Sequence, residues 1–267
     1  MSKVFSSITG YIGGIYSSRT ILLSLVRKDL VGKYRNSFVG MGWHFLMPIF
    51  LLAIYYITFT SGVKASPVDN FVIYLASGLF VFTFMVINVT NGTSCITSNS
   101  GIIKKIYFPR ELVVIAQVIS TSVVMLIGYL IVFIVIVFIG FDLNPISLLL
   151  VPAIIFLAIL FVLGFVLLLS SVNVYYRDIH HLINSVSIIF YFITPMYYTV
   201  DSISGSLSAI VWINPFTYYV ELMHTCVYYG EIPDISLILS TVAISLVSFT
   251  LGMIVFNRLK NGFAERL

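Results

Sequence analysis

Several groups of side chains have types and spacings suited to chemistry. Tyr55, Tyr56 and Phe59 stand at i, i+1 and i+4, so a helix would stack their rings over one turn. Tyr191, Tyr197 and Tyr198 lie towards the far end of a later apolar run. Phe216, Tyr218, Tyr219, Tyr228 and Tyr229 crowd the segment after it. Such rings have two readings. One is an interfacial belt, with amphipathic rings at headgroup level. The other is a sugar-binding lining, in which an aromatic face packs on the C–H face of a pyranose and a Tyr hydroxyl adds a hydrogen bond. Glu221 is the one acid between Phe216 and Tyr229, either a solvated headgroup-level residue or a gate or packing partner. Other chemistry is missing. No GxxxxGK[ST] loop occurs, so the chain cannot cradle ATP by itself. HExxH, GxSxG and paired carboxylates within apolar runs are also absent, which argues against a membrane hydrolase. Cys95 and Cys226 form no CxxC pair or metal-ligand spacing. His180 and His181 read as an interface pair, and no metal site is expected.

The elements that must position these groups follow from composition. Of 267 residues, 60% are hydrophobic and 9% charged, and the mean hydropathy is +1.08. Too little polar surface exists to cover a soluble globule. Six intervals contain no Asp, Glu, Lys or Arg: Asn36–Val63, Asn70–Ile103, Leu112–Phe141, Leu143–Tyr176, Ile179–Val200 and Ile235–Asn257. Each can supply the roughly 20 apolar residues of a membrane-crossing helix. The expected fold is an all-α polytopic membrane protein. Its six span cores are Met41–Phe59, Phe71–Val89, Val113–Ile139, Leu148–Leu169, Ile183–Tyr198 and Leu237–Phe256. Span interiors hold no ionisable group apart from His44, which disfavours an ion-coupled carrier. If the protein moves something uphill, the energy must come from another chain.

Six spans put both termini on one side. With that side as the cytoplasm, every Lys and Arg except Lys64 falls on inside segments, a strong positive-inside bias. The net charge of +4 then reflects basic cytoplasmic segments near anionic headgroups, not nucleic-acid binding. Outside, Asp201 to Asp234 carries four acids and no Lys or Arg. The N-terminus has no signal-peptide h-region. From Ser18 to Tyr34, Ile21, Leu22, Leu25, Val26 and Leu30 form an apolar stripe, with Arg27, Lys28, Lys33 and Arg35 at the far end. This predicts an interfacial helix, or one packed on the protein. Asn214-Pro215 and Pro233 break helices, predicting two short re-entrant or interfacial helices near Ser206–Ile213 and Thr217–Tyr228. One domain, 1–267, suffices: a cytoplasmic segment 1–36, a membrane region 37–257 and a cytoplasmic tail 258–267.

Four stretches carry a family resemblance. "RKDLVGKYRNSFVGMGWHFLMPIF", Arg27 to Phe50, resembles the approach to the first span in membrane subunits of ABC-type polysaccharide exporters, of the Wzm and teichoic-acid-export kind. The matched pattern is Ser37, Gly40, Trp43 and Pro48. "NSGIIKKIYFPREL", Asn99 to Leu112, is similar to the family's FPRE-bearing cytoplasmic segment. "NVYYRDIHHL", Asn173 to Leu182, is similar to its Tyr-Arg-Asp coupling segment. "WINPFTYYVELMH", Trp212 to His224, resembles its Asn-Pro-bearing external segment. Where the family often carries Arg after that Asn-Pro pair, this chain has His224.

The resemblance implies the permease half of an ABC exporter in the cytoplasmic (inner) membrane, not itself an enzyme. Two copies would form the pore, and two separate ATP-binding cassette subunits would bind ATP and Mg, leaving this chain without a cofactor. The cargo would be an undecaprenyl-diphosphate-linked polysaccharide, most simply an O-antigen, with capsule or teichoic acid as alternatives. Arg27, Lys28, Asp29, Arg177 and Asp178 would couple to the ATPase. Lys104, Lys105 and Arg110 would meet the partner or the cargo's diphosphate, with Pro109 fixing the turn that aims Arg110. Tyr55, Tyr56, Phe59, Tyr191, Tyr197 and Tyr198 would line the channel, and Asn214, Pro215 and Glu221 would form an external gate. The competing classes are a channel or secondary carrier needing no ATPase, and a membrane enzyme that modifies lipid-linked glycans.

Overall fold

A backbone inside hydrocarbon has no water to bond to, so it must satisfy its own N–H and C=O groups, and continuous apolar runs do so as helices. A computed structural model of the chain describes residues 18–32, 68–141 and 143–267, together with 42, 43, 46, 49, 50, 53, 54, 57 and 58. The principal helices are α1 (Arg19–Gly32), α2 (Phe71–Thr93), α3 (Glu111–Ile139), α4 (Val151–Tyr175), α5 (Asp178–Ile193), α6 (Ser206–Ile213), α7 (Pro215–Met223) and α8 (Ile235–Leu259). No strand occurs among the described residues.

Four segments are long and apolar enough to cross a membrane: Phe71–Thr93, Glu111–Phe138, Pro145–Tyr175 and Ile235–Gly262. They correspond to the second, third, fourth and sixth expected spans. Most of the first, Met41–Phe59, lies outside the described residues, including His44, Pro48, Tyr55, Tyr56 and Phe59. The fifth differs from expectation. Its helix is α5, of 16 residues, ending at Ile193 rather than reaching Tyr198. The cause is local: Pro195 disfavours helical geometry at Thr194, which is extended at φ −77°, ψ 127°.

α2 is the hub. In its apolar window 83% of residues are buried, against 17% for the last span. α3, α4, α5 and α7 pack around it. Tyr129 on α3 inserts its hydroxyl into the α2 backbone, donating to the Ser77 carbonyl at 2.9 Å and accepting from the Val81 N–H at 3.2 Å. α4 and α8 cross backbone to backbone at Gly164 and Gly252, where a Cβ on Gly252 would lie 1.9 Å from the Gly164 carbonyl oxygen. Lipid offers no hydrophobic drive between helices, so such close approach through small residues supplies the packing. Ser245 and Ser248 on α8 donate across the same seam to the carbonyls of Leu157 (3.2 Å) and Phe161 (2.9 Å). α1 turns its expected stripe onto α3: Leu25 is buried and Ile21, Leu22 and Val26 are partly so, while Leu23 and Val31 remain exposed.

The alternating helices sort the loops into two ends. One holds the α2–α3 loop, the α4–α5 junction and the C-terminal tail, and carries most of the described basic residues. The other holds the starts of α2, α4 and α8, with α6, α7 and the four acids.

Candidate functional site

At the basic end, the C-terminal tail is clamped between α3 and α4. Lys260 Nζ lies 2.7 Å from Glu111 Oε1, and Glu111 is buried. Arg110 donates to the Lys260 carbonyl and lies over the Phe263 ring at 5.7 Å. Tyr175, at the end of α4, donates to the Leu259 carbonyl at 3.0 Å, and Arg266 lies over its ring at 5.4 Å. Arg110 thus has partners within the chain, which sequence spacing did not indicate. Its neighbours Lys104 and Lys105 are exposed, and Tyr107 projects fully from the same loop.

Lys28 on α1 donates to Asn99 Oδ1, bringing α1 to this loop. A cavity of about 330 Å³ lies at the junction, lined by Lys28, Asn99, Gly101 and Lys105 among others. Arg27 is exposed and Asp29 half-buried. Lys33 and Arg35 lie outside the described residues. Arg177 and Asp178 open α5 directly after α4 and are exposed, with Tyr176 beside them at 70% exposure. Asp178 lies in the first turn, where a carboxylate complements the helix dipole. Asn173 Oδ1 accepts the His180 N–H at 3.2 Å and fixes the angle of the α4–α5 turn. This end presents exposed cations, two exposed acids (Asp178 and Glu265) and exposed rings on a firmly packed base, which suits docking.

At the opposite end, Asn214 joins three elements. Its Oδ1 accepts from the Phe216 N–H at 3.0 Å and caps α7, with Pro215 at the first helical position. Its Nδ2 donates to Thr194 Oγ1 at 2.8 Å, so it also ties α7 to the end of α5. The two short helices expected from the proline breaks are present as α6 and α7, the latter running into a π-helical turn, His224–Tyr228. They dock more deeply than their composition indicated. Phe216 and Tyr219 are fully buried, and the Tyr219 hydroxyl is 2.6 Å from Ser245 Oγ on α8. Phe216 packs against Phe82, Phe161 and Phe190. These two rings are core.

Of the rings expected to line a channel, Tyr191 meets Phe82 edge-on at 4.9 Å. Tyr197 and Tyr198 lie beyond α5 and fold back on it. Their hydroxyls donate to the carbonyls of Tyr191 (2.7 Å) and Ile193 (2.6 Å). The three are therefore knitted into one half-buried turn.

Sequence reasoning did not foresee the setting of His224. It is fully buried, its ring stacked on Tyr74 of α2 at 3.9 Å, with Nδ1 3.8 Å from Glu221 Oε2. Gly78 makes the room, since a Cβ there would lie 2.5 Å from His224 Nε2. Neither ring nitrogen nor Glu221 Oε2 has a hydrogen-bond partner among the described residues. Only the departure from the family's Arg marked this position in the sequence. Glu221 and Tyr74 also reach the wall of a cavity of about 720 Å³, bounded by the turn after α5, α6, α7 and the start of α8.

Comparison with known proteins relates the amino-acid sequence to others. A family model described as ABC-2 type transporter matches residues 20–228. The chain is 26% identical over 260 residues to the O-antigen export system permease protein RfbA of Myxococcus xanthus, covering 95% of this chain and 97% of that protein. It is 25% identical over 249 residues to a protein of the same name from Klebsiella pneumoniae, covering 92% and 95%.

Proposed function

Because the chain belongs to the ABC-2 type transporter family, we propose that it is the permease subunit of an exporter that carries a lipid-linked polysaccharide, an O-antigen, across the cytoplasmic membrane. Similarity over nearly the full length of proteins named as O-antigen export permeases carries this reading. The chain has no phosphate-binding loop. The energy comes from ATP hydrolysed on two separate cassette subunits, which bind the ATP and its Mg; this chain binds neither.

The basic end faces the cytoplasm, by the positive-inside rule. The exposed Arg177 and Asp178 dock into the ATPase together with Arg27, Lys28 and Asp29. The adjoining Lys104 and Lys105 draw in the diphosphate of the cargo, with Arg110 holding the loop to the tail. Two copies form the pore. The exposed apolar face of α5, with Leu182, Ile188, Ile189 and Phe192, supports a second copy as its cover. Rings including Tyr55, Tyr56, Phe59, Tyr191, Tyr197 and Tyr198 line the path. Asn214, Pro215 and Glu221 belong to the outer gate.

The test is co-expression with the cassette subunit. Membrane vesicles holding both should hydrolyse ATP and translocate polysaccharide, and vesicles holding the permease alone should do neither. ATP hydrolysis by the pure permease, or a failure of the two chains to associate, would overturn the proposal.

A further inference from the structure

The cavity at the acidic end has a chemistry that polysaccharide export alone does not call for. Its volume, about 720 Å³, falls among small-molecule sites, which run to roughly 300–1,000 Å³. Four rings reach its wall: Tyr74, Trp212, Tyr218 and Tyr229. Trp212 and Tyr218 meet nearly at right angles at 5.3 Å, and Tyr74 and Tyr229 do so at 6.5 Å. One aromatic corner, Trp212 and Tyr218, and the exposed Tyr229 therefore face one space, with Tyr74 buried behind them. Four carboxylates share the wall: Asp201, Glu221, Glu231 and Asp234. No Lys or Arg among the described residues lines it.

Among the described residues no Lys or Arg offsets this negative charge, and the acids are dispersed along the wall. Glu221 Oε2 is buried without a hydrogen-bond partner, and the nearest imidazole nitrogen, at 3.8 Å, is too far to supply one. The Tyr229 hydroxyl is held above its usual pKa by burial first, then by Glu221, Tyr228, Asp201 and Glu231, so these acids act on one region. Yet no three acids or histidines among the described residues form a group able to hold a metal ion. The complement is a cationic group carried on a larger molecule rather than a bare ion.

We infer that this cavity binds a saccharide unit bearing a free ammonium group, an inference that rests on reading the chain as a polysaccharide permease. Ring faces take the C–H face of the sugar, and an ammonium is attracted to the same faces and to the carboxylates. The field of four carboxylates in a concave site raises the local concentration of such a cation and repels saccharides bearing phosphate or carboxylate. The site lies at the end of the bundle opposite the docking surface, where it meets cargo on the far side of the membrane.

The same ammonium chemistry occurs in lipid headgroups, so the test separates the two sources. The permease–ATPase complex is placed in phosphatidylglycerol nanodiscs, and binding is measured by calorimetry below neutral pH. The probes are a glucosamine tetramer, its fully N-acetylated counterpart and ethanolamine. The glucosamine tetramer should bind at least tenfold more tightly than either of the others, and binding should weaken with salt. Asp201→Asn, on an exposed residue, and Glu221→Gln should each weaken it several-fold. Equal binding of the acetylated tetramer, binding of ethanolamine as tight as the tetramer's, binding indifferent to both substitutions, or no binding would each overturn the inference. ATP-driven export is measured on the same complex reconstituted in sealed vesicles. Export without amine preference removes this inference alone, whereas loss of ATPase association removes the proposed function and leaves the binding result standing.

Discussion

Gly252→Ala tests the helix crossing at the centre of the fold. An ideal Cβ at 252 would lie 1.9 Å from the Gly164 carbonyl oxygen, 2.6 Å from its carbon and 2.8 Å from its Cα. Non-bonded carbon atoms rest about 3.5–4.0 Å apart, so the methyl needs roughly 1.5 Å more room. The obstacle is backbone, which cannot rotate aside. α4 and α8 must separate, and a gap of about 0.5–1 Å already forfeits a quarter to a half of each contact's attraction. The Ser245 and Ser248 hydrogen bonds across the seam would stretch with it. Overpacking costs about 1–3 kcal/mol, and backbone against backbone belongs at the upper end. Alanine's better helix propensity offsets about 1 kcal/mol. The net loss is about 2 kcal/mol, roughly a 30-fold fall in the folded-to-unfolded ratio. Gly101→Ala is the control, because nothing lies within 4 Å of a Cβ there. Unfolding of the purified permease by increasing SDS, followed by circular dichroism, should place Gly252→Ala well below wild type and Gly101→Ala at or above it. Equal stability of Gly252→Ala and wild type would refute the crossing.

Other substitutions probe the two ends. Asn214→Ala removes the α7 cap and the buried bond to Thr194; at about 1 kcal/mol each, thermal unfolding should show a loss of about 2 kcal/mol. Lys260→Met leaves the buried Glu111 carboxylate without its ion pair. Discounted for the exposure of Lys260, the loss should be about 1–2 kcal/mol, and the double variant with Glu111→Gln should recover part of it on the same assay. Arg177→Ala with Asp178→Ala should leave membrane insertion unchanged and cost at most about 1 kcal/mol of stability, since both side chains are exposed and only the Asp178 contribution to the helix dipole is lost. Pull-down of the ATPase or ATP-driven export should fall at least tenfold, consistent with charge-assisted bonds of about 1.5–3 kcal/mol each. A well-expressed double variant that exports normally would remove the pair from the docking surface.

What the sequence determined by itself is local or compositional. Charge-free apolar runs require helices, because a backbone in hydrocarbon has no other way to close its hydrogen bonds. Asn214-Pro215 begins α7 where the cap and N1 rules place it. The segregation of Lys and Arg marks one end of the bundle before any coordinate is known. The end of α5 was legible too, in Thr194-Pro195, but the surrounding apolar run obscured it. Tertiary structure alone decided the rest, because each remaining feature depends on which residues meet across long stretches of chain. Phe216 and Tyr219 could have been belt, lining or core; packing on α2, α4 and α8 made them core. Arg110 carries the same charge as Lys104, and only the tail's return path binds its guanidinium to Lys260 and Phe263. His224 became buried because Gly78, far away in sequence, leaves a ring-sized space beside Tyr74. The acids from Asp201 to Asp234 are one stretch of sequence, but the folding of α6, α7 and the start of α8 sets them around a single cavity with four rings. Helix formation is dictated residue by residue through the backbone, whereas side-chain neighbours are set by how finished helices cross, which no local pattern encodes.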